Sequence, residues 1–167
     1  MILELEEVFS GASDSVGFDY VFDPGEITPA GSPAEHSSVR ASGTVRANAG
    51  VVTLRGTAAF TLSGPCDRCA APVTREYEVP LEHILSQSPE DEESDLIGAP
   101  GGKLDLDALV REDVILFIPM SFLCSEDCKG LCPVCGKDLN EGPCSCGKPV
   151  DPRLEALRAL LGGDGED

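Results

Sequence analysis

Eight cysteines in a chain of 167 residues, each with another cysteine close by, constrain this fold more than any other feature. They fall as Cys66-x2-Cys69, Cys124-x3-Cys128, Cys132-x2-Cys135 and Cys144-x-Cys146. Two residues between cysteines let both thiolates face one ion while the intervening backbone turns and offers N–H groups to sulfur, the geometry of structural zinc ribbons. Cys132-Pro-Val-Cys135-Gly136 is a strong case, because Gly136 can take the conformation a tight knuckle requires. Eight thiolates at four per tetrahedral ion make two zinc sites. The simplest grouping closes Cys132, Cys135, Cys144 and Cys146 locally and leaves Cys66, Cys69, Cys124 and Cys128 for the other. The bland alternative leaves one pair, Cys124 and Cys128, reduced and without metal.

Two other uses of these thiols are weighed against metal. A disulfide framework belongs to exported chains, and here the first residues, Met1-Ile2-Leu3-Glu4-Leu5-Glu6-Glu7, are acidic where a signal peptide is basic. No apolar run approaches the ~18 residues of a membrane span. The expectation is a cytoplasmic protein with no membrane contact. Cys128-x3-Cys132-x2-Cys135 also has the spacing of a radical S-adenosylmethionine cluster, but that chemistry needs a large barrel around it and only about 30 residues follow.

Hydrophobic patterning organises the rest. Residues 11–37 read as loop around an apolar island at 16–22 that alternates as a strand does. Val39, Ala41, Gly43 and Val45, then Val52, Leu54, Gly56, Ala58, Phe60 and Leu62, share one face of a hairpin turned at Ala47-Asn48-Ala49-Gly50. A third strand follows from about Val73 to Leu85, with the Cys66 knuckle at the tip between strands. Residues 88–103 combine acids with Gly and Pro and read as a flexible linker. Asp105 caps a helix that buries Leu106, Leu109, Val110, Val114 and Phe117 and stops at Pro119. A last short helix begins at Asp151-Pro152-Arg153 and repeats Leu154, Leu157, Leu160 and Leu161. The expected architecture is α+β: a small antiparallel β-sheet with a packed helix and a C-terminal Cys-rich zinc knuckle module. Its parts are a β-rich domain over 1–87, the linker over 88–103, and helix, cysteine module and final helix over 104–167.

No phosphate loop, dinucleotide fingerprint or nucleophile–base pair appears, and His83 reads as an ordinary sheet residue. The expectation is a protein without catalytic residues or a small-molecule substrate.

Two blocks carry a family resemblance. One is Gly64-Pro-Cys66-Asp-Arg-Cys69-Ala-Ala-Pro72 with the strand after it. The other runs from Glu112-Asp-Val-Ile-Leu-Phe-Ile-Pro119 through Leu123-Cys124-Ser-Glu-Asp-Cys128-Lys-Gly-Leu-Cys132-Pro-Val-Cys135-Gly-Lys-Asp-Leu-Asn140 to Cys144-Ser-Cys146 and Asp151-Pro-Arg153. In these the chain resembles the large ribosomal RNA subunit accumulation proteins, the YceD family, while its N-terminal part matches only in pattern. The resemblance implies a bacterial or plastid-type factor needed for large-subunit ribosomal RNA to accumulate, acting in ribosome assembly or RNA stability. It brings no catalytic residues with it.

Charge shapes the expected partner. The chain carries a net charge of −18, and two zinc ions held by eight thiolates make it more negative still, so most of its surface repels naked nucleic acid. Between Ser38 and Arg75, however, five arginines face one acid, Asp67, and Arg40, Arg46 and Arg55 fall on the outward face of the hairpin. Such a face suits RNA phosphates or an acidic protein, and it equally suits a solvated polar surface. Three functions follow: a non-catalytic zinc-binding factor that contacts ribosomal RNA precursor, an acidic chaperone for a basic ribosomal protein, and a metal or redox sensor.

Overall fold

The computed structural model describes residues 1–27, 33–88 and 96–146. The helix expected from Asp151 onward and the acidic core of the expected linker lie outside the described residues. In chain order the elements are β1 (Ile2–Glu4), a single turn α1 (Glu6–Phe9), β2 (Ser15–Phe22), β3 (Glu35–His36), β4 (Val39–Asn48), β5 (Val51–Pro65) and β6 (Pro72–Ser86). They continue with β7 (Leu96–Gly98), a 3-10 turn (Pro100–Gly102), β8 (Lys103–Asp105) and α2 (Leu106–Phe117).

The alternation of β4 and β5 becomes a ladder in which Val45 pairs with Leu54 and Ala41 with Ala58. Asn48 and Val51 are the last pair, so the turn is the two residues Ala49 and Gly50, with φ of 49° and 83°. Two positive φ values make the turn whose twist matches the strands it joins. The whole of β2 pairs with β4 from Val39 to Arg46, and β6 pairs along nearly the whole of β5, up to Pro65 opposite Pro72. One residue is inserted between β3 and β4, since His36 faces Leu62 but Arg40 faces Ala59. There the Ser37 N–H donates to the Thr61 carbonyl at 2.9 Å, and the Ser37 hydroxyl accepts from the Thr61 N–H at 3.0 Å. Such a bulge sharpens twist.

The sheet, ordered β2-β4-β5-β6-β7, is curled and mixed rather than the small antiparallel sheet expected, because β7 runs parallel to β6. Three residues in a Gly- and Pro-rich stretch carry no alternation, and a parallel neighbour is not announced by a hairpin turn. The same stretch supplies β8, which pairs with β1, so the C-terminal end of the expected linker is built into the fold.

Leu3, Leu5, Val8, Leu104 and Leu106 join the inward side chains of the sheet in one core. α2 starts at Asp105, whose carboxylate accepts the Ala108 N–H, and buries Leu106, Leu109, Val110 and Val114. Phe117, expected on this face, is 46% exposed; it is the last residue of the helix, one turn past Val114, the last buried position. His83 of β6 is not a bystander: its Nε2 lies 2.7 Å from the Asp113 carboxylate of α2, with both side chains mostly buried. No helix among the described residues is long and apolar enough to cross a membrane.

Candidate metal centres

The long β5–β6 hairpin ends in a loop at residues 66–71 whose backbone folds on itself. The Cys66 N–H donates to Ala71 O at 2.8 Å and the Ala70 N–H to Cys66 O at 2.9 Å. The second knuckle repeats this bond for bond: the Cys132 N–H donates to Lys137 O at 2.8 Å and the Gly136 N–H to Cys132 O at 2.9 Å. In each, the residue after the second cysteine is left-handed, Gly136 at φ 72° and Ala70 at φ 58°. The first knuckle uses alanine where the second uses the residue that carries no Cβ penalty.

A third segment delivers the next two thiols to the first knuckle. Past α2 the chain turns at Pro119 and buries Phe122 completely. The Asp67 N–H donates to Phe122 O at 2.9 Å, and the Asp67 carboxylate accepts the Phe122 N–H at 2.6 Å. Arg75 donates to Leu123 O at 3.0 Å, and Arg68 to Cys128 O at 2.9 Å. Thus three residues of the β5–β6 hairpin hold the segment that carries Cys124 and Cys128. Sulfurs of Cys66 and Cys128 lie 3.8 Å apart, and those of Cys69 and Cys124 3.6 Å apart.

The second set, Cys132, Cys135, Cys144 and Cys146, closes within residues 132–146, with 3.4 Å between the Cys132 and Cys144 sulfurs. Within each set all four sulfurs lie within 4.8 Å of one another. A tetrahedron with ~2.3 Å metal–sulfur bonds places sulfurs about 3.8 Å apart, so both sets fit a four-coordinate ion. The two sets differ in depth. Cys66, Cys69 and Cys128 are buried, whereas Cys135 is exposed and Cys144 and Cys146 are half-buried. Between them, Gly130 approaches the Arg68 carbonyl so closely that a Cβ would sit 2.9 Å from its oxygen. The Asn140 amide donates to the Cys128 sulfur at 3.5 Å while its oxygen accepts the Lys129 N–H at 2.8 Å.

Electrostatics favour a cation in each set. Burial works against ionising Cys66, but backbone N–H groups of Cys69, Arg68 and Cys124 outweigh it and bring its pKa down to about 6. Backbone N–H groups of Cys135 and Val134 do the same for Cys132, also to about 6. Within the same sets, Cys69 and Cys146 are pushed up to about 12. For Cys69 the Ala71 N–H is overcome by burial and by the thiols of Cys124, Cys66 and Cys128; for Cys146 the cause is chiefly Cys135, then burial. The first set thus lowers Cys66 and Cys128 while raising Cys69 and Cys124, and the second lowers Cys132 while raising Cys146, so each set holds at least one thiol that ionises readily and at least one that stays protonated until positive charge enters.

The three outward arginines are exposed, but two are engaged. Arg40 grips the Asp19 carboxylate through Nε and Nη2 at 3.1 and 2.9 Å, which holds that carboxyl below the usual range, and Arg55 meets Glu82 at 2.8 Å. Glu76 and Glu78 stand on the same outward face of β6, one strand over. The arginine-rich window of the sequence is therefore not the charge of the face. Its flanking strands bring four carboxylates onto the same face as the three guanidiniums, two of them paired to Arg40 and Arg55.

The family model described as Large ribosomal RNA subunit accumulation protein YceD matches residues 54–161. The Bacillus subtilis protein YlbN is 32% identical over 163 residues, 91% of each chain. A Mycobacterium tuberculosis protein is 33% identical over 120 residues, which are 69% of this chain and 58% of that relative's own length. An Arabidopsis thaliana protein named Large ribosomal RNA subunit accumulation protein YCED homolog 1, chloroplastic, is 37% identical over 46 residues, 28% of this chain and 14% of its own. No solved structure matches the chain. Since the matched stretch takes in both knuckles, the whole of β6, α2 and the segment that joins them, the chain belongs to the YceD family of large ribosomal RNA subunit accumulation proteins.

Proposed function

We propose that this protein is a non-catalytic, zinc-binding factor of the cytoplasm that supports large-subunit ribosomal RNA accumulation and ribosome assembly. The observation that carries the reading is the pair of four-thiol sets, each complete in its own ligands. Four cysteines fill a tetrahedral ion and leave no position for water or substrate, which is the mark of a structural and not a catalytic zinc. Zinc suits them because soft thiolates in a tetrahedral arrangement select it. The first ion fastens the cysteine module to the sheet hairpin, and the second rigidifies the module itself. Elemental analysis of purified protein should find close to two zinc ions per chain. Stoichiometric iron with inorganic sulfide would overturn the zinc assignment.

In this reading Arg40, Arg46 and Arg55 contact the phosphates of a ribosomal RNA precursor. Replacing all three by glutamine removes their charge without setting new carboxylates against Asp19 and Glu82. Co-sedimentation with large-subunit precursors should then fall while zinc content stays at two, and the wild-type interaction should weaken as salt rises. A second reading is favoured by the outward face itself, on which carboxylates outnumber guanidiniums: an acidic chaperone for a basic ribosomal protein. Pull-downs with nuclease separate the two. Loss of capture assigns the partner to RNA, and nuclease-resistant capture of one basic protein assigns it to the chaperone reading.

A further inference from the structure

β2 is an outer strand of the sheet, and half of its backbone hydrogen-bonding groups face away from β4. The Ala47 N–H donates to Asp14 O at 3.1 Å and Ser15 stands opposite Arg46, so the residues that bond to β4 are Val16, Phe18, Tyr20 and Phe22. The N–H and C=O groups of Gly17, Asp19 and Val21 therefore point outward, and none of them meets a backbone partner among the described residues. Edge strands are normally shielded by lysine, proline, a bulge or shortness. β2 runs for eight residues in unbroken register with no lysine or proline, whereas β7 at the other edge has three residues. An open edge of this length accepts another extended chain, whose main-chain bonds supply affinity and whose side chains are selected by what flanks the strand.

The flanks of β2 select by charge. No lysine or arginine stands before Arg40 in the chain. Asp14 and Asp23, which bracket the strand, are exposed and have no ion-pair partner among the described residues. Where the strand begins, the surface dips into a groove of about 280 Å³ lined by Glu4, Glu6, Glu7, Val8, Ser13 and Val16. Glu4 faces Lys103 at 3.6 Å, whereas Glu6 and Glu7 have no cation of their own among the described residues. A lysine or arginine side chain matches this groove, with its aliphatic stem against the valines and its charged head among the carboxylates. A second copy of β2 matches poorly, because at full antiparallel overlap Asp14 of one chain would stand opposite Asp23 of the other.

We propose that β2 takes up a basic, extended polypeptide segment of a partner protein as an added strand, bonded to Gly17, Asp19 and Val21 and anchored by a lysine or arginine in the groove beside Glu6 and Glu7. This rests on the reading in which the partner is a basic protein, and it does not depend on the zinc assignment. The probe is a capped peptide of alternating lysine and valine as long as β2, added to the full chain, with the same peptide carrying glutamate for lysine as control. In the free protein the amides of Gly17, Asp19 and Val21 should exchange fast and those of Phe18 and Tyr20 slowly. The lysine peptide should slow the first three by roughly tenfold, and the glutamate peptide should leave them unchanged. Val21→Pro removes a donor that β4 does not use, so exchange across β4 and β5 should hold while affinity for the lysine peptide falls about tenfold. Glu6→Gln with Glu7→Gln should also weaken the peptide and flatten its salt dependence. Protection of the three amides that grows with protein concentration would give the edge to a second copy, and slow exchange there in dilute free protein would show it closed by its own chain. Either result overturns the proposal. Binding that protects other amides overturns the edge and leaves the basic-partner reading standing. Absence of binding also overturns the edge, while that reading still answers to the nuclease pull-downs.

Discussion

Ala70 and Gly136 hold equivalent positions in two knuckles with the same backbone bonds, yet only one of them is glycine. A left-handed alanine costs about 1–2 kcal/mol, part of which is returned because glycine loses more freedom on folding. Ala70→Gly should therefore stabilise the zinc-loaded protein by about 0.5–1 kcal/mol, and Gly136→Ala should destabilise it by a similar amount. Urea midpoints of the two variants check both signs. Asp67 is the other residue whose role exceeds its size, since it both donates to and accepts from Phe122. Asp67→Ala leaves the Phe122 N–H without its acceptor next to a fully buried ring, which should cost about 1–3 kcal/mol. Exchange at the Phe122 amide should accelerate while zinc content holds at two. Loss of zinc from this variant would show that the clamp is needed to build the centre and not only to seat it.

Among the elements, the β4–β5 hairpin and α2 were legible from side-chain period and cap chemistry. The hairpin's turn is left-handed at both Ala49 and Gly50, the pattern for which Asn-Gly is the favoured pair. Ala49→Asn should raise stability by about 0.5 kcal/mol, measured as a shift in thermal midpoint, and a fall would mean the turn is held by contacts beyond its own residues. β1, β3, β7 and β8 were not legible, because two or three residues cannot display a period and none of them meets its partner through a tight hairpin turn. The His83–Asp113 contact was hidden for a related reason. His83 continues the alternation of its strand and Asp113 flanks the apolar stripe of its helix, so each looks ordinary until the two elements cross.

At the scale of the whole molecule, the two thiol sets divide the work. One is assembled from the sheet hairpin and the segment after α2, more than fifty residues apart, and the other closes within one stretch of chain. Cys69→Ser and Cys135→Ser should each reduce zinc from two ions toward one, with different consequences. The first should raise amide exchange across the tip of β5–β6 and residues 122–128, because the link between sheet and module is lost. The second should confine the increase to residues 130–146. Identical exchange maps for the two variants would refute this division.

Local chemistry in the sequence was sufficient to determine the knuckles, the long alternating strands and the capped helix, since each depends on spacings of a few residues. The count and pairing of cysteines also determined that two four-thiol groups were available. Tertiary structure alone decided that β7 runs parallel and that residues 96–105 belong to the fold, because both follow from pairings that no turn signal or side-chain period announces. It also decided the charge of the outward face. Arg40 and Arg55 look unopposed in their own stretch of chain, but Asp19 and Glu82 reach them from neighbouring strands, and charge acts through space and not along sequence.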